Sequence, residues 1–362
     1  MDQLASLIAE VSKRASADAI VDVGAGQGHL SRVLAFRYGL RTISVEAVAS
    51  LTAAASERAQ KLCRMKRCST CGPMQLPLCV TAAAWTPQEL LFAVNQALGA
   101  ATRHRILFAC LHACGDLTPN VLRTFVECGD AVAVVAVGCC YNLVSEAGNP
   151  EGGERAAASR ILAHTAHAGG ELAVAQPERA PVQASDASLP GYPMSAPLAH
   201  HTLGRQARML ACQSAERWRD AEETRSWRGL AFRASLEVVL LSCPGVDASA
   251  LRGGGAACDA ATSFNSYIHE SFARVGVECP LGDHELEALW RDELEEPAAY
   301  MGPFCTLRCV LAAPTEALLV LDRVLYLREQ IEEDHSVFWK NVFDAHISPR
   351  NVAIVALTSA LN

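Results

Sequence analysis

Val21-Asp22-Val23-Gly24-Ala25-Gly26-Gln27-Gly28 is the stretch that decides how the rest of this chain is read. It leaves an apolar, strand-like segment, Ala19 to Val23, and enters a helix-like one, His29 to Arg37, through three glycines spaced Gly-x-Gly-x-Gly. A strand that ends in glycines and runs into a helix lays backbone N–H groups against a ligand. Glycine suits such a turn because a side chain would hold the ligand away or forbid the backbone conformation. An acid, Asp22, stands two residues ahead of the first glycine. The spacing also excludes a class. A dinucleotide fingerprint places its third glycine one position later, where this chain has His29, so a nicotinamide-dependent dehydrogenase does not fit.

The segment Thr42-Ile43-Ser44-Val45-Glu46 reads as the next strand and ends in an acid about twenty residues beyond the glycines. In this architecture such an acid lies over a ribose, and a carboxylate can accept from both hydroxyls. Asp22, Gly24, Ala25, Gly26, Gly28 and Glu46 are therefore the expected cofactor-binding residues.

The bulk of the chain bounds the reading. Its 362 residues, 51% of them hydrophobic, are enough for a large core. Fifteen cysteines accompany an opening that reads as a charged amphipathic helix and not as a secretory leader, so reduced thiols in the cytosol or nucleus are expected. The apolar run from Met301 to Leu327 contains Arg308, Glu316, Asp322 and Arg323, which predicts that it does not span a bilayer and that no membrane is involved. A net charge of −8 argues against a general nucleic-acid binder. The cluster Arg58, Lys61, Arg64, Lys66 and Arg67 is read as a solvated basic face.

Along the chain, Leu4, Leu7, Ile8 and Val11 recur at helical spacing. Strands are expected at Leu78 to Ala84, Ile106 to Ala113 and Ala131 to Val137, with a helix at Pro87 to Leu98 and another opened by Thr118-Pro119. Alternating strands and helices predict an α/β fold, a doubly wound Rossmann-like sheet. Residues 1–144 are assigned to its cofactor-binding core, and 145–189 to an irregular insertion rich in Gly, Pro, Ala and Glu with a short helix near Ala156 to Ala166. Residues 190–335 read as a helical insertion that shapes a substrate surface. Residues 336–362 hold two strands, Val337 to Phe343 and Val352 to Leu357, that return to the core sheet.

A second constellation follows the fourth and fifth strands: Leu111-His112-Ala113-Cys114-Gly115-Asp116-Leu117-Thr118-Pro119 and Gly138-Cys139-Cys140-Tyr141. In an open α/β sheet, ligands bind beyond the carboxyl ends of the strands, which brings these segments to the same edge as the glycines. The sequence here resembles the methyltransferase-like protein 25 family. The matching stretches are Asp22 to Phe36, Leu111 to Pro119, Val137 to Glu146, Gly191 to Ser195, Ala207 to Cys212 and Ser348 to Asn351. A more distant similarity, in His-x-Cys-Gly followed by Cys-Cys, is to a tRNA 2′-O-methyltransferase family. The resemblance implies a Rossmann-like, S-adenosylmethionine-dependent methyltransferase acting on a macromolecule, RNA or protein. Two departures accompany it. A Lys- and His-containing segment that usually precedes the first helix is not found here, and the stretch Ser145 to Leu189 is longer than usual. The first departure motivates the other expectation, a non-catalytic binding module that keeps the fold.

Methyl transfer from a sulfonium needs little acid–base help, because the leaving group is already activated; the protein has to hold nucleophile and methyl in line and exclude water. A hydroxyl nucleophile would also need a base. Asp116 is the first candidate, His112 the second, and Tyr141 is expected as a wall or hydrogen-bonding partner for substrate. Asp116 can equally be a turn residue before the Thr118 helix start, and Cys139 and Cys140 can be small core fillers. Among Cys63, Cys68, Cys71 and Cys79 only Cys68-x-x-Cys71 has ligand spacing, one pair where a closed zinc site needs two, so no metal is expected.

Overall fold

The computed structural model describes residues 1–67, 72–78, 87–99, 103–146, 189–214, 223–241, 258, 262–274, 276–331 and 337–358. Seven strands form one sheet: β1 (Ala19–Val23), β2 (Thr42–Glu46), β3 (Met74–Pro77), β4 (Ile106–Ala113), β5 (Ala131–Gly138), β6 (Val337–Asn341) and β7 (Val352–Leu357). Their order across the sheet is β3-β2-β1-β4-β5-β7-β6. The first five run parallel, while β7 is antiparallel to both β5 and β6. The last two strands thus return to the sheet that holds Val21. Strand order reverses between β1 and β4, and a crevice at the carboxyl ends of strands where the order reverses is where an open α/β sheet takes its ligand.

Parallel strands covered on both faces must be apolar throughout, and all eight residues of β5 are buried. On one face, Ile20, Leu107, Val135 and Val355 pack with Leu4, Ile8 and Val11 of α1 (Asp2–Arg14) and with Leu30 and Leu34 of α2 (His29–Tyr38). On the other, Val21, Val45, Phe108 and Val134 pack with Leu90 and Val94 of α4 (Pro87–Leu98) and Val121, Leu122 and Phe125 of α5 (Leu117–Glu127). Each such fully buried Leu, Ile or Phe stabilises the fold by about 1.5–3 kcal/mol relative to exposure. The helix α3 (Ala49–Lys66) buries Ala55 and Ala59 and exposes Arg58, Lys61, Arg64 and Lys66, a solvated basic face.

Three expectations change. The third strand lies at Met74–Pro77 and not at Leu78 to Ala84, whose residues from 79 on fall outside the described ones. Among the described residues it is a four-residue, half-exposed edge strand paired with β2 alone, so it lacks the apolar run that marks its neighbours. The chain also divides differently from the expected helical insertion over 190–335. One compact unit holds Met1–Cys212 and Pro314–Asn362, the other Gln213–Ala313. The first unit includes a short helix α6 (Gly204–Leu210). The second is helical, with α7 (Glu223–Leu241), α8 (Phe264–Ala273), α9 (Asp283–Leu289), α10 (Glu295–Ala299) and the start of α11 (Met301–Gln330); its core joins Phe232 and Leu236 of α7, Tyr267, Ile268 and Phe272 of α8, and Leu286 of α9. Ser263 caps α8 by accepting from the Ser266 N–H. The unit boundary falls at Pro314 inside α11. The third change concerns polarity. The helical stretch 283–330 contains an 18-residue window of mean hydropathy 1.6, apolar enough by length and composition to cross a membrane. Within it, Val320, Val324 and Leu327 are buried against the sheet, which accounts for part of that apolar character. The short helix expected near Ala156 to Ala166 lies outside the described residues, as does nearly all of the 145–189 stretch.

Candidate functional site

The glycine turn after β1 is built from three left-handed residues, Gly24, Gly26 and Gly28, with φ of 71°, 55° and 67°. Gly26 is the one that matters most for a ligand. Its backbone conformation favours glycine, and a Cβ added there would meet none of the described residues within 4 Å, so open space begins where its side chain would be. The N–H groups of this turn are not bare, as the sequence had suggested. Those of Gly24 and Ala25 donate to the Val45 carbonyl at 2.9 and 3.0 Å, and that of Gly28 donates to the Ala25 carbonyl at 2.8 Å. The Gly26 N–H donates to Glu46 Oε2 at 2.8 Å, while the Val48 N–H donates to Oε1 at 2.9 Å. Glu46 at the end of β2 therefore clamps the turn, with one further lone pair on each oxygen left to accept from a ligand.

Asp22 does not face that space. Its carboxylate is 1% exposed and accepts from the Ser31 hydroxyl of α2 at 2.5 Å, tying strand to helix beneath the turn. Burial pushes its pKa up to about 6, against the opposing hydrogen bond from Ser31. Because the folded-state value is raised, the folded chain holds this proton where the unfolded chain has lost it. The stabilisation is complete below about pH 4 and is lost as pH rises towards 6. The shift corresponds to about 3 kcal/mol. Asp22→Asn should flatten the fall in unfolding free energy between pH 4 and 7, measured by urea denaturation at several pH values. An unchanged slope in the variant would show that Asp22 ionises freely.

The second constellation meets the first at the switch point. Leu117 Cδ2 lies 2.9 Å from where a Cβ on Gly24 would stand, so the β4–α5 turn abuts the glycine turn. His112 is exposed, has φ of 60°, and sits where the β4–β5 register slips between Leu111 and Ala113. A left-handed non-glycine residue on a bulge beside a ligand edge is the kind of backbone outlier that clusters at functional sites. Asp116 opens α5 without capping it through its side chain; instead its Oδ1 accepts from the Ser145 N–H at 2.7 Å. Gly191 comes so close that a Cβ there would stand 2.1 Å from that oxygen. Asp116 thus fastens the chain beyond β5 to the start of α5.

Tyr141 is placed differently from the expected substrate wall. It is 2% exposed, its hydroxyl donates to Glu316 Oε1 at 3.2 Å, and the Arg323 guanidinium lies 5.1 Å from its ring centroid. Burial, followed by the Glu316 charge, raises its pKa. A bulky residue right after two small ones at a strand end reads as a wall, but the turn Tyr141–Leu143 swings it inward.

What sequence reading missed is the buried polar network around it. Arg208, 0% exposed, pairs with Glu146, which also accepts from the Leu203 and Gly204 N–H groups. Asp322 accepts from the Met194 and Ser195 N–H groups and from the Ser195 hydroxyl at 2.8 Å. Arg350 pairs with Glu316 at 3.0 Å and donates to the Ala211 carbonyl. Burial raises the pKa of Glu316, opposed by Arg350. These contacts join Val137 to Glu146, Gly191 to Ser195, Ala207 to Cys212 and Ser348 to Asn351, so four scattered motifs fold into one support beneath the sheet edge. Their recurrence as motifs was the only available signal.

Residues 1–147 match a family model described as a methyltransferase domain. Over 253 residues the chain is 29% identical to the probable methyltransferase-like protein 25 of Homo sapiens, a match covering 69% of this chain and 36% of that protein. The Mus musculus counterpart is 28% identical over 253 residues, covering 69% and 37%. The chain spans little more than a third of the length of these curated relatives. Among solved structures, a magnesium protoporphyrin IX methyltransferase from Synechocystis with bound S-adenosylmethionine is 12% identical, covering 45% of this chain and 66% of that one at a TM-score of 0.26. The fold rests on the strand order above and not on that partial likeness.

Proposed function

Since residues 1–147 match a methyltransferase-domain model and the chain is similar to the probable methyltransferase-like protein 25, we propose that it binds S-adenosylmethionine over Gly26 and transfers its methyl group to a macromolecule, RNA or protein, in the cytosol or nucleus. One observation carries the reading: the left-handed glycine turn, clamped by Glu46, opens onto free space at the switch point between β1 and β4. The residues present fit the cofactor. Glu46 keeps lone pairs for ribose hydroxyls, and the missing side chain of Gly26 leaves room for the nucleoside. The bound cofactor supplies an activated methyl. This chain's residues then hold the acceptor in line and keep water away, with His112 and Asp116 on the adjoining turn as the groups able to take a proton from a hydroxyl acceptor.

A specific observation favours a second reading, a binding module without turnover. Asp116 is engaged with Ser145, Tyr141 is buried, and the N–H groups of Gly24, Ala25, Gly26 and Gly28 already donate within the chain. Incorporation of labelled methyl into fractionated RNA and protein separates the two; label in neither fraction would leave the module. Asp116→Asn sharpens the test, because the amide oxygen can still accept from the Ser145 N–H while the charge is removed. If Asp116 is the base, turnover should fall about a hundredfold or more with cofactor affinity kept. Near-normal turnover in the folded variant would make it a fastening residue only.

A further inference from the structure

The structure assigns a metal site to Cys114, Cys139 and Cys140, taking a single thiophilic divalent ion of the zinc class through three thiolates. Their sulfur atoms lie 3.0 Å (Cys114–Cys139), 3.2 Å (Cys114–Cys140) and 3.5 Å (Cys139–Cys140) apart. Zinc held by thiolates at about 2.3 Å in a tetrahedral arrangement sets its sulfurs about 3.7–3.8 Å apart, so the three separations need to open by about 0.2 to 0.8 Å, which side-chain rotation at the strand ends can supply. The expectation that Cys139 and Cys140 are core fillers does not hold: both are half-buried, and Cys114 is exposed.

The scaffold beneath is rigid. Each loop begins directly after a paired strand residue, Cys114 after Ala113 and Cys139 after Gly138, and those two residues are register partners across β4 and β5. The three thiols are thus presented by two neighbouring strand ends and not by mobile tips. Three soft sulfur donors select zinc-class ions over hard cations such as magnesium, and three protein ligands leave one position for water or an incoming donor. On binding, the three thiols release their protons to solvent and the site acquires one net negative charge. An independent observation matches that charge. Arg323 is 2% exposed, and its Nη1 has no hydrogen-bond partner among the described residues. That atom lies 3.0 Å from where a Cβ on Gly138 would stand, next to the cysteine pair. A buried guanidinium without a full set of partners costs stability, and negative charge gained at the strand end that adjoins Gly138 would offset part of that cost, adding to what Glu316 already supplies.

The test uses the reduced full chain, zinc or cobalt(II) alone, and thiol alkylation mapped peptide by peptide. The expected result is about one ion per chain, thiolate-to-cobalt charge-transfer absorption, and protection of Cys114, Cys139 and Cys140 with Cys279 alkylated equally with and without metal. Cys114→Ser and Cys139→Ser should each weaken binding at least about a hundredfold, whereas Cys279→Ser should not. Because a serine variant can misfold, the protection pattern of the parent chain decides the matter. Less than about a tenth of an ion bound, or protection of Cys63, Cys68 and Cys71 in place of the three, overturns the assignment.

Discussion

Gly26→Arg should abolish binding of S-adenosylmethionine while the sheet stays folded. Among the described residues nothing lies within 4 Å of the position a Cβ would take there, so the new side chain enters open space without displacing their backbone. What it fills is the space a nucleoside would need. The left-handed backbone at φ 55° costs a non-glycine residue about 1–2 kcal/mol, well within what a domain with this much buried apolar area tolerates. The clamp from the Gly26 N–H to Glu46 uses backbone and is retained. Titration calorimetry should show at least a hundredfold loss of affinity, about 2.7 kcal/mol, with cooperative urea unfolding preserved. A folded variant with parental affinity would move the cofactor away from this turn.

Glu146→Gln should be the most destabilising single change in the support beneath the site. The glutamine oxygen can still accept from the Leu203 and Gly204 N–H groups, but Arg208 is left fully buried without a counter-charge. Breaking one side of a buried ion pair costs about 3–5 kcal/mol. Combining it with Arg208→Met removes the stranded charge, and the double variant should recover most of the loss. Denaturant unfolding of the two single variants and the double one gives the coupling directly. A single Glu146→Gln variant within about 1 kcal/mol of the parent would mean that the pair is open to solvent.

The parts of this fold that were legible in the sequence are those with local rules. The glycine turn, Glu46, β4 and β5 announce themselves by spacing and by unbroken apolar runs, because parallel strands are buried on both faces. The edge strand Met74–Pro77 was misplaced because an edge need not be apolar, while the neighbouring Leu78 to Ala84 is. The division at Pro314 was invisible because one helical period runs through it, serving two units with a single helix. In the site, the sequence placed Gly26, Glu46, His112 and Asp116 on one edge but gave no sign that Tyr141 turns inward or that Asp22 serves Ser31. Such facts depend on partners dozens to hundreds of residues away, as with Glu146 and Arg208 or Arg350 and Glu316.

The placement of β7 between β5 and β6 bears on how the molecule is made. Val137 finds its partner in Ala353 and Ala133 in Leu357, about 220 residues later in the chain. At ribosomal rates of about 5–20 residues per second, the outer edge of β5 waits on the order of ten to forty seconds for the strand that seals it. Through that interval the nascent polypeptide carries an eight-residue, wholly apolar edge with unpaired backbone groups, a template for aggregation. Synthesis of this protein therefore places a demand on chaperones that hold emerging chains, and it falls within the span between completion of β5 and arrival of β7.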